Sequence, residues 1–192
     1  MKVNLTVLMF LLFLGISTTA FSAIFTGKVI DADTKEPIEG AVVVASWQEE
    51  TATVAGPSTK CKDVNETLTN KNGEWIIQGP RGRTGGSITA LFTLLTGTYF
   101  TNPPQFIVFK PGYCSWPEGF MIDACKQGIR PGGQDKVAEG ISVELPKLSN
   151  KEARLRSIPS TGCGKLEKQK KLIQLINEER TNLVLKGRLQ AE

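Results

Sequence analysis

Residues 27–43, GKVIDADTKEPIEGAVV, constrain the fold more than any other stretch, because two strand-like runs there flank a dense cluster of turn-forming residues. Phe25, Gly27 and Val29 alternate with Thr26, Lys28 and Ile30, the period-2 pattern of a strand with one buried face. The strand is expected to end at Asp31. From there Asp31, Asp33 and Thr34 can bond back to neighbouring backbone N–H groups, and Pro37 fixes its own φ while disfavouring helix at Glu36. Gly40 suits a positive φ where the chain enters the next strand. Residues 41–47, AVVVASW, form a continuous apolar, β-branched run, which predicts a strand with little solvent on either side.

The chain ahead of this unit has the form of an export signal. Lys2 supplies a positive n-region, residues 5–16 are nearly all apolar, and residues 17–23 are small and polar, with Ala20 and Ser22 suited to a signal-peptidase site. Residues 1–22 therefore read as a signal peptide and the protein as exported, periplasmic or extracellular. The apolar run is shorter than the ~20 residues a membrane-spanning helix needs, and no cysteine near the cleavage site suggests a lipoprotein. A second apolar stretch, residues 88–100, is interrupted by threonines and Gly97 and is not a span.

Removal of the signal leaves roughly 170 residues, enough for one domain that buries about 70% of its unfolded surface. The excess of 23 Lys and Arg over 19 Asp and Glu, +4, is too mild to argue for nucleic acid. With 19 glycines and 10 prolines the chain reads as turn-rich and mainly β.

The absence of histidine bears most on mechanism. Ser-His-Asp and Cys-His nucleophiles, His-ligated zinc and a histidine general base are all excluded. The expectation is a chain that is not an enzyme and needs no cofactor. Cys61, Cys114, Cys125 and Cys163 contain no C-x-x-C pair, and an even number of cysteines in an exported chain suits disulfides. Three connectivities exist; Cys114 with Cys125 closes a short loop between strands, which leaves Cys61 with Cys163 to tie the C-terminal tail down.

Gly27, Val29, Asp31, Thr34, Pro37, Ile38, Gly40, Ala41 and Val43 resemble the first hairpin of the carboxypeptidase regulatory-like domain, a transthyretin-like (prealbumin-like) sandwich of exported bacterial proteins. Residues 69–75, TNKNGEW, resemble that family's T-x-x-x-G-x-aromatic hairpin, and Asn72-Gly73 reads independently as a type I′ turn. Residues 107–113, IVFKPGY, are similar to its later strand and Gly-aromatic turn. Residues 141–145 supply a closing strand, with Ile141, Val143 and Leu145 inward and Ser142 and Glu144 outward. The resemblance spans about residues 24–146 and implies a seven-stranded Greek-key β-sandwich over residues 23–147. Long insertions at about 48–64, 79–104 and 114–140 depart from the compact family pattern. The resemblance implies a non-catalytic module with roles in folding support, protein contact or carbohydrate contact.

Residues 148–192 form a helical extension. Ser149 to Glu152 has capping-box spacing before a short helix through about Arg156, stopped by Pro159. A second helix is expected from about Lys165 to Leu185, with Leu166, Leu172, Ile173 and Ile176 on an apolar stripe. That stripe either docks on the outside of the sandwich or meets a partner chain.

Other local signals read as structural. Asp31-x-Asp33-x-Lys35 is calcium-loop-like, but Lys35 occupies a ligand position and Glu36 stands where glycine is needed. The run 82–87 lacks the G-K-[ST] ending of a phosphate loop. Lys165, Lys168, Lys170 and Lys171 suggest at most a weak membrane-surface contact, and Asn65-Glu66-Thr67 is a sequon only in a eukaryotic secretory pathway. The carboxylates Glu74, Asp123 and Glu144 suit solvated strand or loop positions. Tyr99, Phe100, Tyr113, Trp116 and Phe120 fall in or beside the insertions, where binding residues concentrate. The leading expectation is an exported module contacting another envelope or extracellular protein, with no nucleic-acid partner. The alternative is a carbohydrate-binding module using those aromatics.

Overall fold

The computed structural model describes residues 22–53, 56–80, 100–117, 122–125, 133, 137–140 and 142–188. The expected signal segment up to residue 21, the 82–87 run, Tyr99, Phe120 and Ile141 lie outside these described residues, and of Phe100 only the backbone is described. The fold is mainly β, with two sheets and a C-terminal helix. Its strands are β1 (Ser22–Asp31), β2 (Val42–Thr53), β3 (Gly56–Leu68), β4 (Glu74–Pro80), β5 (Phe100–Thr101), β6 (Gln105–Phe109) and β7 (Val143–Leu145). Two α-helices follow, α1 (Lys151–Arg156) and α2 (Lys170–Arg188).

One sheet has the order β4-β1-β7, with β1 antiparallel to β4 and parallel to β7. The other is built on β2, which pairs along its length with β3 on one side and with β6 and then β5 on the other. The inner faces pack together. Phe25 and Val29 of β1, Trp75 and Ile77 of β4, and Val143 and Leu145 of β7 meet Val43, Ala45 and Trp47 of β2 and Phe106 and Val108 of β6. A chain of aromatic rings runs through this core, from Trp47 to Phe25 (centroids 6.1 Å apart), to Phe106 (5.8 Å) and to Trp75 (5.6 Å).

Two strand glycines make room for the tryptophans. Gly27 lies opposite Trp75 across β1 and β4, and a Cβ there would stand 2.6 Å from the indole. At Gly79 the added carbon would stand 2.2 Å from the ring of Trp47, which is fully buried. Neither ring has space to retreat in a close-packed interior. Gly79→Ala is expected to destabilise the protein by about 3 kcal/mol through overpacking, read as a lower urea midpoint with unchanged m-value. A Gly79→Ala protein as stable as wild type would show that the Trp47 ring moves freely.

The first half of β2, residues 42–47, is buried on both faces, as its apolar run predicts, and the second covering layer is the tail. Val42 and Val44 point away from the sandwich interior and join Val64, Ile107 and Phe109 in a cluster with Leu172 and Ile176 of α2. Burying two such side chains contributes about 1.5–3 kcal/mol each. Leu172 and Ile176 are therefore not an open partner surface, which corrects half of the expected interface. Ile173 is half-buried and Leu166 is exposed.

Several local expectations change. The insertion expected at 48–64 takes the form of a β-ribbon: β2 continues to Thr53 and β3 begins at Gly56, antiparallel throughout, with a bulge between Trp47 and Gln48. Asn72-Gly73 is not a type I′ turn, since among the described residues only Lys35 and certain glycines have positive φ, so Asn72 does not. The Gly73 N–H bonds Asn70 O at 2.9 Å, with Gly73 at φ 73°, the pattern of a type I turn closed by a left-handed glycine. It connects β3 to β4, which lie in different sheets. The helix α1 is capped by Asn150 rather than Ser149, with Asn150 Oδ1 accepting from the N–H groups of Glu152 and Ala153. α2 begins at Lys170, behind a 3-10 turn at Leu166–Lys168.

Candidate functional site

The turn after β1 is a closed structural unit. Asp31 Oδ1 accepts from the N–H groups of Asp33 at 2.9 Å and Thr34 at 3.0 Å, so the carboxylate is engaged in capping rather than presented to a cation. Lys35, not a glycine, adopts the left-handed φ of 61°, while Gly40 has φ 69° as expected. Thr69 fastens the far end: its hydroxyl donates to Ile38 O at 2.6 Å and accepts from the Ala41 N–H at 2.9 Å. Among the described residues no group of three or more His, Cys, Asp or Glu side chains is placed to hold a metal ion.

Tyr113 closes over this turn. Burial raises the Asp31 carboxyl, but the Thr34 and Asp33 N–H groups and the Tyr113 hydroxyl outweigh it and hold the carboxyl below its ordinary value. Burial, and then the hydrogen bond and charge of Asp31, push the Tyr113 phenol above its ordinary value. The lowered carboxyl contributes stability that is complete above its unfolded pKa of about 3.9 and is lost as pH falls through the folded value. The raised phenol contributes stability that is complete below about pH 10 and is lost as pH rises through its folded value. Asp31→Asn should therefore flatten the loss of stability below about pH 4, measured as urea midpoint against pH. An acid limb as steep as wild type would place the responsible carboxylate elsewhere.

The remaining predicted residues separate. Trp116 is buried at 3% exposure within the main core, and its backbone bridges to Val108. It cannot offer a stacking face, because its ring belongs to the interior, and the expectation of a loop contact is corrected. Tyr113 is half-buried against the same core. Phe100 joins β5, opposite Glu50. Of the carboxylates, Glu74 is exposed and bonded by Asn70 Nδ2 at 3.0 Å, and Asp123 is exposed. Glu144 is buried rather than solvated, paired with Lys35 at 2.6 Å.

The cysteines pair as Cys61 with Cys163 and Cys114 with Cys125, with Cα separations of 5.3 Å and 5.9 Å. Around the first bridge the tail is pinned to β3 by polar contacts. Lys168 Nζ pairs with Asp63 Oδ1, and Glu66 accepts the Lys171 and Leu172 N–H groups at 2.7 and 3.0 Å. Glu66 thus supplies the negative charge for the α2 N-terminus, whose own first turn has no acidic residue. Burial raises the Asp63 carboxyl, but the bond from Lys168 leads the effects that hold it below its usual value. Lys168 is thereby committed to the fold rather than to a lipid surface, whereas Lys170 and Lys171 are exposed. The Asn65 amide of the sequon donates to Gln78 O at 2.7 Å.

Beside the tail lies a groove of about 290 Å³ on the outer face of the β2/β6 sheet, where β2 bulges. Ser46, Gln48, Gln105 and Thr161 give it a neutral polar lining, and Ile107 and Pro117 an apolar one. Residues 160–163 form a strap along one side, held by the Cys61–Cys163 bridge and by a 2.7 Å bond from the Gly162 N–H to Gln169 Oε1. Sequence reading missed this site; its local signals are the polar Ser46 inside the apolar run of β2 and Gln105 at the start of β6.

No family model matches the chain, and no curated protein matches it. Solved structures similar to it include two dioxygenases. One is 3-chlorocatechol 1,2-dioxygenase from Rhodococcus opacus 1CP, with a TM-score of 0.33, 18% identity, and coverage of 69% of this chain and 62% of that one. The other is catechol 1,2-dioxygenase from Acinetobacter sp. ADP1 inhibited by bound mercury, with a TM-score of 0.36, 14% identity, and coverage of 78% and 59%. The chain thus spans about three fifths of the length of each. Both are enzymes, and the expectation that this chain is not an enzyme is corrected: its ground, the lack of histidine, excludes histidine-dependent chemistry and nothing more. At these TM-scores the likeness assigns no activity to this chain.

Proposed function

We propose that the chain is an exported transthyretin-like sandwich module that makes contacts with another protein in the cell envelope or outside the cell. The observation that carries this reading is the outer face of the β4-β1-β7 sheet. Ile24 is 70% and Ile76 is 66% exposed there, and they are diagonal neighbours, since Ile24 faces Gln78 and Ile76 faces Thr26 across the strand pair. Isolated exposed apolar residues are ordinary, but an adjacent pair on one sheet face with a polar rim of Thr26, Lys28, Glu74 and Gln78 suits a partner of similar build. The other sheet has part of its outer face covered by α2.

Two disulfides fit an oxidising compartment, and among the described residues no helix is long and apolar enough to cross a membrane. Carbohydrate recognition through the loop aromatics loses support, because Trp116 is interior and Tyr113 is engaged with Asp31. The test is cross-linking in the native envelope with wild type and an Ile24→Ser/Ile76→Ser variant. Loss of the cross-linked partner in the variant, with its thermal unfolding unchanged, is the expected result. Retention of the same partner would refute a contact through this face. Deleting the tail would be a poor test, since Leu172 and Ile176 are part of the packed structure.

A further inference from the structure

We propose that the groove between β2, β6 and the 160–163 strap binds a small, uncharged, hydroxyl-rich molecule, of the class of a saccharide unit or a polyol. Charge comes first. Among the described residues that line the groove there is no Asp, Glu, Lys or Arg, so these residues offer a charged ligand no counter-charge for the hydration it would lose.

The polar lining sets the complementary chemistry. Gln48 and Gln105 carry amides, and Ser46 and Thr161 hydroxyls. Each of these groups donates and accepts, which matches ligand hydroxyls that do the same. Gln48, Gln105 and Thr161 have no hydrogen bond from their side chains to another described residue, so their capacity is available. The Ser46 hydroxyl is turned onto Gln105 O at 3.3 Å, a long bond that a ligand hydroxyl can replace. Ile107 and Pro117 add an apolar wall for the C–H face of a ring. A volume of about 290 Å³ lies at the lower end of small-molecule sites, roughly 300–1,000 Å³, and limits the occupant to one or two sugar rings.

The framework around the groove is rigid where a site needs it. Ser46 and Ile107 belong to paired strands, at the positions opposite Gln105 and Val44. The strap is fixed to β3 by the disulfide and to the buried Gln169 by the Gly162 bond. This inference does not rest on the protein-contact reading, which uses the opposite sheet.

The experiment titrates the full chain, with both disulfides intact, against maltose, cellobiose, diacetylchitobiose and sorbitol. Glucuronate and glucosamine serve as charged counterparts, and saturable binding is followed by NMR shifts. At least one neutral compound should bind saturably, the charged ones at least about tenfold more weakly, and Gln105→Ala and Thr161→Val should each weaken binding about 3–10-fold, as one lost hydrogen bond implies. Ile24→Ser/Ile76→Ser should leave this binding unchanged, which separates the two proposals. No saturable binding by any neutral compound, preference for a charged one, or binding indifferent to both groove variants would overturn the assignment.

Discussion

Replacing Cys61 and Cys163 together by serine is expected to remove about 4.7 kcal/mol of stability, and Cys114 with Cys125 distinctly less, about 3 kcal/mol. The bridges span 102 and 11 residues of sequence respectively, and in the chain-entropy account the longer loop restrains the unfolded state more. The native state adds to the contrast. Cys61–Cys163 joins β3 to the segment leading into α2, beside the Lys168–Asp63 pair and the Glu66 cap. Cys114–Cys125 instead sits in a small cluster with Ile122 and Leu148. For a chain of this size the larger loss corresponds to a fall in melting temperature of roughly 10–20 °C. Urea unfolding of the two double-serine proteins measures both losses, and an equal or larger cost for the Cys114–Cys125 pair would reverse the ranking.

Arg154→Ala should be the most damaging single change in the tail, costing about 3–5 kcal/mol. Glu179 on α2 is 1% exposed, and its two carboxylate oxygens receive Arg154 Nε at 2.7 Å and Nη2 at 2.6 Å from α1. The Gly112 N–H adds a longer contact at 3.3 Å, linking both helices to the turn after β6. The bond to Glu179 raises the already high Arg154 pKa against the opposing effect of burial, so the guanidinium stays charged. Truncation leaves a carboxylate buried without its partner, whereas replacing both residues by apolar ones removes that penalty. Arg154→Met with Glu179→Leu should therefore recover most of the loss. A double variant no more stable than Arg154→Ala would show that the pair contributes something packing cannot replace. Arg154→Lys should fall between, because a point charge cannot satisfy both oxygens in the fork geometry.

Much of the architecture was legible in local pattern. The alternation at 25–30, the capped turn after Asp31, the positive φ at Gly40 and the apolar run at 41–47 are written in adjacent residues, and each has its counterpart in the structure. Both helices of the tail were legible from caps, proline and apolar spacing, with errors of a few residues at their starts. Site residues were less legible. Trp116 counted among the loop aromatics because it falls in the 114–140 insertion, yet a bridge to Val108 carries it into the core. The ribbon form of the 48–64 insertion was not legible, because its polar residues hide the pairing, and a two-stranded ribbon can be polar on both faces when the ladder itself satisfies the backbone. Glu66 carries no local sign that it caps a helix more than a hundred residues later.

By itself the sequence determined the strands at 25–30 and 41–47, the turn between them and the two tail helices, since backbone sterics, side-chain periodicity and glycine and proline geometry act between near neighbours. It also determined that histidine-dependent chemistry is absent. Only the tertiary structure decided which faces are covered. Leu172 and Ile176 close over Val42 and Val44, while Ile24 and Ile76 remain in water. An apolar side chain has the same affinity for any dry surface, so the choice among surfaces rests on contacts made between distant parts of the chain. The groove beside the strap arises in the same way, from a bulge in β2, the end of β6 and a disulfide to residue 163, brought together by the fold.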